Sequence, residues 1–248
     1  MTMLRLARLG ERVPTLIGYL IAVNCRTTAV QISDLSLREG PITSQTHDLL
    51  DAELARVDAV RGYRAALASE RATGPPWFRD FYDKLGNTRF RRPILWWTKM
   101  NDYYAYLTQF DEPMQLIEQP YRAVSERIAT MDDARLGGVV SEFLRLAVGA
   151  VIKVMYRDIA LVRCLRVLNA LKRREQGGNT DEPQLDGLGL PSEVTIDPFT
   201  GEPLKMLKLE SGWVIYSVGR DLKDEGGKIN LFRDIGLGPE ETWAPDFE

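Results

Sequence analysis

The residues with the clearest chemical potential form an acidic, glycine-rich segment near the end of the sequence. Asp221, Asp224 and Glu225 precede Gly226-Gly227, and Asp234 follows a few residues later. Ca²⁺ takes about six to eight oxygen ligands, a mixture of carboxylates and backbone carbonyls that such a loop can offer. The spacing is not that of an EF-hand loop. On spacing alone, a solvated acidic turn accounts for these residues better than a metal site does.

Other reactive side chains are scarce. The chain has one histidine, His47, and two cysteines, Cys25 and Cys164, so it cannot assemble a Cys/His zinc cluster. No Gly-x-Ser-x-Gly sequence marks a nucleophile, and the glycine patterns of nucleotide-binding loops are absent. We expect His47 to be an exposed residue at a helix start and both thiols to be buried and inert.

An aromatic-rich segment is the second candidate site. Eleven of the 22 aromatic residues lie between Trp77 and Phe110, with arginines among them. A packed segment that closes one end of a helical bundle is the simplest interpretation. The alternative is a groove for a peptide or protein, centred on Trp77, Trp96, Trp97 and Tyr103. The net charge of −3 argues against a nucleic acid partner.

Composition divides the 248 residues unevenly. Residues 178–248 carry 6 Lys/Arg against 15 Asp/Glu, whereas the preceding part has a net positive charge. Gly177-Gly178 marks the break, because paired glycines end helices. We predict a helical domain over 1–138, and a second over 139–248 that combines a long helix with a β-hairpin tail.

The fold class predicted is mainly α: a multi-helix bundle with a small C-terminal antiparallel hairpin packed on the last long helix. In the tail, residues 203–209 and 213–218 read as strands joined by a Gly-containing turn. The predicted helices cover about 3–37 (bent near Pro14), 45–72 (ended by Gly74-Pro75-Pro76), 98–110, 114–131 (separated by prolines) and 138–176.

The N-terminal residues could be mistaken for a targeting segment. Arg5, Arg8 and Arg12 precede the short apolar run Leu16 to Val23, but no small-residue cleavage site follows it. The run is too short to cross a bilayer. We therefore expect an amphipathic helix and no membrane span in this chain.

Two motifs in the tail resemble a known family. Asp-Pro-Phe-Thr-Gly-Glu-Pro-Leu at 197–204 is followed by Tyr-Ser-Val-Gly at 216–219 and by Asp-Glu-Gly-Gly at 224–227. This order is similar to the C-terminal region of the major pseudopilins of type II secretion. Leu222 stands where that family has a glycine, and the helical part is longer than a pseudopilin has.

The resemblance implies a calcium site in the loop after the second hairpin strand. The implied ligands are Ser217, Asp221, Asp224, Glu225 and Asp234. The whole chain also resembles a group of uncharacterised bacterial proteins that carry the same tail. Members of that group usually have a membrane anchor before the equivalent of Met1.

These features favour a non-enzymatic structural or assembly protein of the bacterial envelope, with a protein partner or self-association and Ca²⁺ as its one possible cofactor. The resemblance implies the periplasmic side of the envelope; without it, the cytoplasm is expected. Two alternatives stay open. One is a peptide- or protein-binding helical module that uses the aromatic segment, and the other is a hydrolase that uses Asp197, Asp221 and Asp224.

Overall fold

The longest helix is the element on which most of the others pack. The computed structural model describes residues 2–85, 92–117, 119–133, 139–178, 183–230 and 233–244. Helix α7 contacts four other helices and two strands. The helices are α1 (Thr2–Glu11), α2 (Leu16–Glu39), α3 (Ser44–Leu54), α4 (Ala59–Leu85), α5 (Arg92–Leu116), α6 (Tyr121–Asp133) and α7 (Val139–Gln176).

The first predicted helix is two helices in the structure. The chain breaks after Glu11, and α2 starts afresh with Thr15 as its N-cap, whose hydroxyl accepts from the Gly18 N–H at 3.0 Å. Pro14 stands just before this cap, and a new cap at a break is more stable than a strained bend. Helices α1 and α2 therefore form a hairpin, and the prediction of one bent helix was wrong.

Prolines interrupt the middle helices less than expected. Helix α4 continues through Gly74-Pro75-Pro76 to Leu85, and α5 continues through Pro113. At Gly74 the hydroxyl of Tyr106 packs so closely that a β-carbon would clash, and it donates to the Glu70 carbonyl at 2.6 Å. This contact packs α5 against α4 at the glycine that precedes the two prolines. Pro120 immediately precedes α6, which begins at Tyr121, so the predicted helix start at Met114 was wrong and Met114 belongs to the last turn of α5.

A buried ion pair joins the N-terminal hairpin to α7. Arg26 and Asp158 are each 1% exposed, and the guanidinium donates to the carboxylate at 2.6, 2.9 and 3.1 Å. Glu11 of α1 contacts the same guanidinium. Burial raises the pKa of Asp158, and the arginine charge opposes that rise. The pair fixes the relative positions of α1, α2 and α7.

His47 is fully buried, so the prediction of an exposed histidine was wrong. Its Nδ1 lies 2.7 Å from Asn169 Oδ1, and the Asn169 amide donates to the His47 carbonyl at 3.0 Å. These bonds join α3 to α7. The sequence held the signal, because His47, Leu50 and Leu54 share one helical face and all three are buried.

The tail is a three-stranded antiparallel sheet that packs on α7. Strands β1 (Lys205–Leu209) and β2 (Gly212–Ser217) form the expected hairpin, and β3 (Ile235–Leu237) pairs with the other edge of β2. Trp213 and Ile215 belong to the main core, whereas Val214 and Tyr216 pack on the opposite face with Ile229. The third strand was not predicted.

The predicted fold class is confirmed: the chain is mainly helical, with a small antiparallel sheet against the last long helix. Among the residues described, no helix combines the length and apolar character needed to cross a membrane.

Candidate functional site

The loop between β2 and β3 contains the acidic residues singled out in the sequence. Its two ends are held together, because Gly219 comes so close to the Arg233 carbonyl that a β-carbon would lie 1.8 Å from that oxygen. Leu222 has φ 60°, a left-handed conformation that glycine adopts without strain. The pseudopilin-like pattern has a glycine at this position, and the backbone here has the conformation that suits one.

Asp197 of the Asp-Pro-Phe motif forms the base of the loop. Its Oδ1 accepts from the Phe199 N–H at 2.8 Å and from the Ser217 hydroxyl at 2.7 Å. Its Oδ2 accepts from the Val218 N–H at 3.1 Å. The carboxylate is 2% exposed, and burial raises its pKa while these donors oppose the rise. The motif thus ties the segment before β1 to the end of β2.

Ser217 is fully buried at this base. Its hydroxyl donates to Asp197 and accepts from the Gly219 N–H at 3.1 Å. The structure therefore gives Ser217 a role in closing the loop, and it does not place the hydroxyl with the acidic side chains farther along.

Asp221 and Asp224 are exposed residues that stabilise turns. The Asp221 carboxylate accepts from the Lys223 N–H at 3.2 Å. The Asp224 carboxylate accepts from the Tyr216 hydroxyl at 3.0 Å and from the Gly226 N–H at 2.9 Å. Asp224 Oδ2 lies 4.0 Å from the ammonium nitrogen of Lys205.

Glu225 and Asp234 present the unusual feature of the loop. The Glu225 carboxyl feels the charges of Asp221 and Arg233, which have opposite effects on its pKa. Asp234 is fully buried, and its Oδ2 accepts from the Gly227 N–H at 2.8 Å. Asp234 Oδ1 and Glu225 Oε2 are buried without a hydrogen-bond donor. Buried carboxylate oxygens that lack a donor favour a proton or a cation beside them.

The electrostatics agree with this geometry. Burial, together with the charges of Glu225 and Asp224, raises the pKa of Asp234 to about 7, although backbone N–H donors oppose the rise. Burial and the charge of Asp221 also raise the pKa of Glu225. Without a cation, the buried pair therefore holds a proton well above the pH at which an ordinary aspartate loses one.

The tail should accordingly lose stability as the pH rises in a metal-free buffer. Between about pH 4 and pH 7 the folded chain retains a proton that the unfolded chain has released, so the free energy of unfolding falls with increasing pH. Urea unfolding in EDTA across this range measures the slope. Asp234→Asn should flatten it, whereas the exposed Asp186→Asn should not; equal slopes in the two variants would contradict the assignment.

The loop offers some of the ligands that a cation site needs. Glu225 and Asp234 supply two oxygens that lack donors, which is the kind of site that a hard cation satisfies. Within the described residues, however, no three His, Cys, Asp or Glu side chains converge in the arrangement of a metal site. The remaining ligands would have to come from Asp221, Asp224, backbone carbonyls and water.

The structure describes only part of the aromatic segment. The side chains of Trp77, Trp96 and Trp97 lie outside the described residues. Tyr103 is half-buried and stacks on Tyr106, with ring centroids 6.4 Å apart. The peptide-binding groove predicted for this segment therefore stays a prediction.

Two cavities lie away from the acidic loop. One, of 490 Å³, is lined by Leu204, Met206 and Trp213 at the sheet. The other, of 480 Å³, lies between α3 and α7, where Arg166 pairs with Asp51. Neither is lined by the carboxylates of the hydrolase alternative, Asp197, Asp221 and Asp224, so that alternative gains no cleft from either cavity.

Comparison with known proteins gives this chain no relative. No protein-family model matches it, and no curated protein or solved structure is detectably similar to it. The pseudopilin-like pattern of the tail therefore stays a prediction from the sequence.

Proposed function

We propose that this chain is a non-enzymatic structural or assembly protein of the bacterial envelope whose C-terminal module is stabilised by calcium. The observation that carries the proposal is that two carboxylate oxygens of the loop, Asp234 Oδ1 and Glu225 Oε2, are buried without a donor. The order of tail motifs supports the same conclusion, as does the scarcity of nucleophiles and bases in the sequence.

Each part of the tail has a distinct task in this proposal. Asp197 and Ser217 hold the base of the loop closed, and Gly227 orients Asp234 by donating to its carboxylate. Glu225 and Asp234 hold the cation, and the exposed Asp221 and Asp224 complete its shell from the solvent side. Bound Ca²⁺ would neutralise the facing carboxylates and satisfy their oxygens.

An ordered loop of this kind can present a fixed surface to a protein partner or to a second copy of the chain. A cation that binds only the folded loop adds its binding free energy to the stability of the module. Calcium would then decide whether the surface is ordered, which is a role suited to assembly outside the cytoplasm.

A thermal melt of the full chain in Ca²⁺ and in EDTA tests the proposal. At about 1 mM Ca²⁺, which is near the dissociation constants of weak extracellular sites, and at pH 7.5 or above, we expect the midpoint to rise by about 1 °C or more. Mg²⁺ should replace Ca²⁺ poorly, because it demands a tighter octahedral shell.

Two variants make the melt specific. Asp234→Asn should abolish the calcium response and also raise the midpoint in EDTA, because its amide can donate to the Glu225 carboxylate. Asp186→Asn, at an exposed position outside the loop, should keep the full response. Equal midpoints in Ca²⁺ and EDTA for the unmodified chain would refute the calcium module.

A further inference from the structure

The outer face of the N-terminal hairpin is unusually apolar for an exposed surface. Helix α1 and the turn after it expose Leu6, Leu9 and Val13, with 44%, 54% and 55% of their surface accessible. Helix α2 exposes Ile17 and Ile21, at 71% and 53%. Ile32 and Leu35 lie on the same face of α2 and are also more than half exposed, but the exposed Asn24 and Thr28 separate them from Ile21. The exposed aliphatic surface is therefore concentrated near the turn between α1 and α2.

The acidic residues of the hairpin point inward, whereas two of its basic residues are exposed. Between Thr2 and Arg38 the only acidic residues are Glu11 and Asp34, and each points inward to pair with an arginine. Arg5 and Arg12 are exposed and form no ion pair with a described side chain. At 100° per residue Arg5 lies on the same side of α1 as Leu9, and Arg12 follows in the turn after the helix. The exposed surface around Leu9 and Ile17 therefore has basic residues beside its aliphatic ones, and the next acidic residue that is exposed is Glu39.

We propose that this face docks on an anionic lipid surface, with the aliphatic side chains entering the interface and Arg5 and Arg12 near the headgroups. Interfacial helices combine Leu, Ile or Val on one side with basic residues beside them. A second copy of the chain offers no acidic group on this face to meet the arginines.

The inference deepens the envelope association of the proposed function by naming the surface that makes the contact. It does not depend on calcium at the tail, because the two features lie on different elements. Either can fail alone: the calcium melt reports on the loop, and vesicle binding reports on the hairpin.

Co-sedimentation of the full chain with lipid vesicles tests the inference. We expect binding to vesicles of phosphatidylcholine and phosphatidylglycerol, and at least about tenfold weaker binding to phosphatidylcholine alone. The double variant Ile17→Asp, Ile21→Asp should lose the binding. The double variant Arg5→Gln, Arg12→Gln should weaken it about tenfold and reduce its sensitivity to salt. These positions are exposed, so each variant should fold, and a thermal melt of each variant checks this.

Matched controls are available on other helices. Leu49→Asp replaces an aliphatic residue that is 52% exposed on α3, and Arg56→Gln with Arg61→Gln removes two exposed arginines. Both control proteins should bind vesicles as the unmodified chain does. Absence of vesicle binding, or equal losses in the controls, would overturn the inference. A dimer in solution that Ile17→Asp, Ile21→Asp dissociates would also overturn it, because the face would then join two copies.

Discussion

Replacing Asp158 with alanine should lower the free energy of unfolding by about 3–5 kcal/mol, because it leaves a buried guanidinium without its main partner. Arg26 and Asp158 are both 1% exposed and share three hydrogen-bond contacts. Glu11 remains as a second partner for Arg26 but lies nearer the surface. Urea unfolding at neutral pH, followed by circular dichroism, measures the effect.

An exposed ion pair between α3 and α7 provides the control. Asp48 pairs with Arg173, and both side chains are more than half exposed, so Asp48→Ala should cost only about 0–1 kcal/mol because water can replace the lost carboxylate. The double variant Arg26→Met, Asp158→Leu should recover most of the stability, since it removes both buried charges. Similar losses for Asp158→Ala and Asp48→Ala would show that the buried pair does not fix the bundle.

Replacing Asp197 with alanine should destabilise the tail by roughly 2–4 kcal/mol, since buried donors that lose a charged acceptor remain unsatisfied. The Ser217 hydroxyl and the N–H groups of Phe199 and Val218 all donate to this carboxylate. Trp213 lies in the adjacent strand and is nearly buried, so its fluorescence in a urea titration reports on this region.

Glu202 lies in the same motif and is exposed, which makes Glu202→Ala the matched control. That variant should unfold within about 0.5 kcal/mol of the unmodified chain. Asp197→Asn should fall between the two, because it retains one acceptor but turns an amide donor toward the backbone N–H groups. An Asp197→Ala protein as stable as the Glu202→Ala protein would contradict the role given to Asp197.

Strong local patterns made the main elements predictable. The long α7 and the β1–β2 hairpin follow from helical periodicity, the Gly177-Gly178 stop and the β-branched residues of the second strand. Strand β3 has only three residues and no pattern of its own, so it forms through its pairing with β2. Its absence from the prediction reflects a tertiary contact that local propensity does not encode.

The errors in the helical part also have tertiary causes. Gly74-Pro75-Pro76 would end an isolated helix, but α4 continues through them and packs on Tyr106 of α5 at Gly74. The sequence around His47 is compatible with exposure. Its burial depends on a hydrogen bond to Asn169, which lies 122 residues away in the chain. Neither partner can be identified from local spacing.

The candidate site, like the fold, could be predicted from the sequence only in part. Clustering of acidic residues with glycines located the loop, and the Asp-Pro-Phe motif predicted a turn. The proximity of Glu225 and Asp234 could not be predicted, because it depends on β3 bringing residue 234 beneath the loop. The resemblance implied that Ser217 is a calcium ligand, whereas in the structure its hydroxyl donates to Asp197.

Direct titration of Ca²⁺ into the metal-free full chain by isothermal calorimetry is the measurement that tests the central claim most directly. The account predicts one site per chain with a dissociation constant of about 10⁻³ M or tighter, and loss of that site in Asp234→Asn. A flat titration of the unmodified chain at several times that concentration would contradict it, and so would binding that Asp234→Asn leaves unchanged.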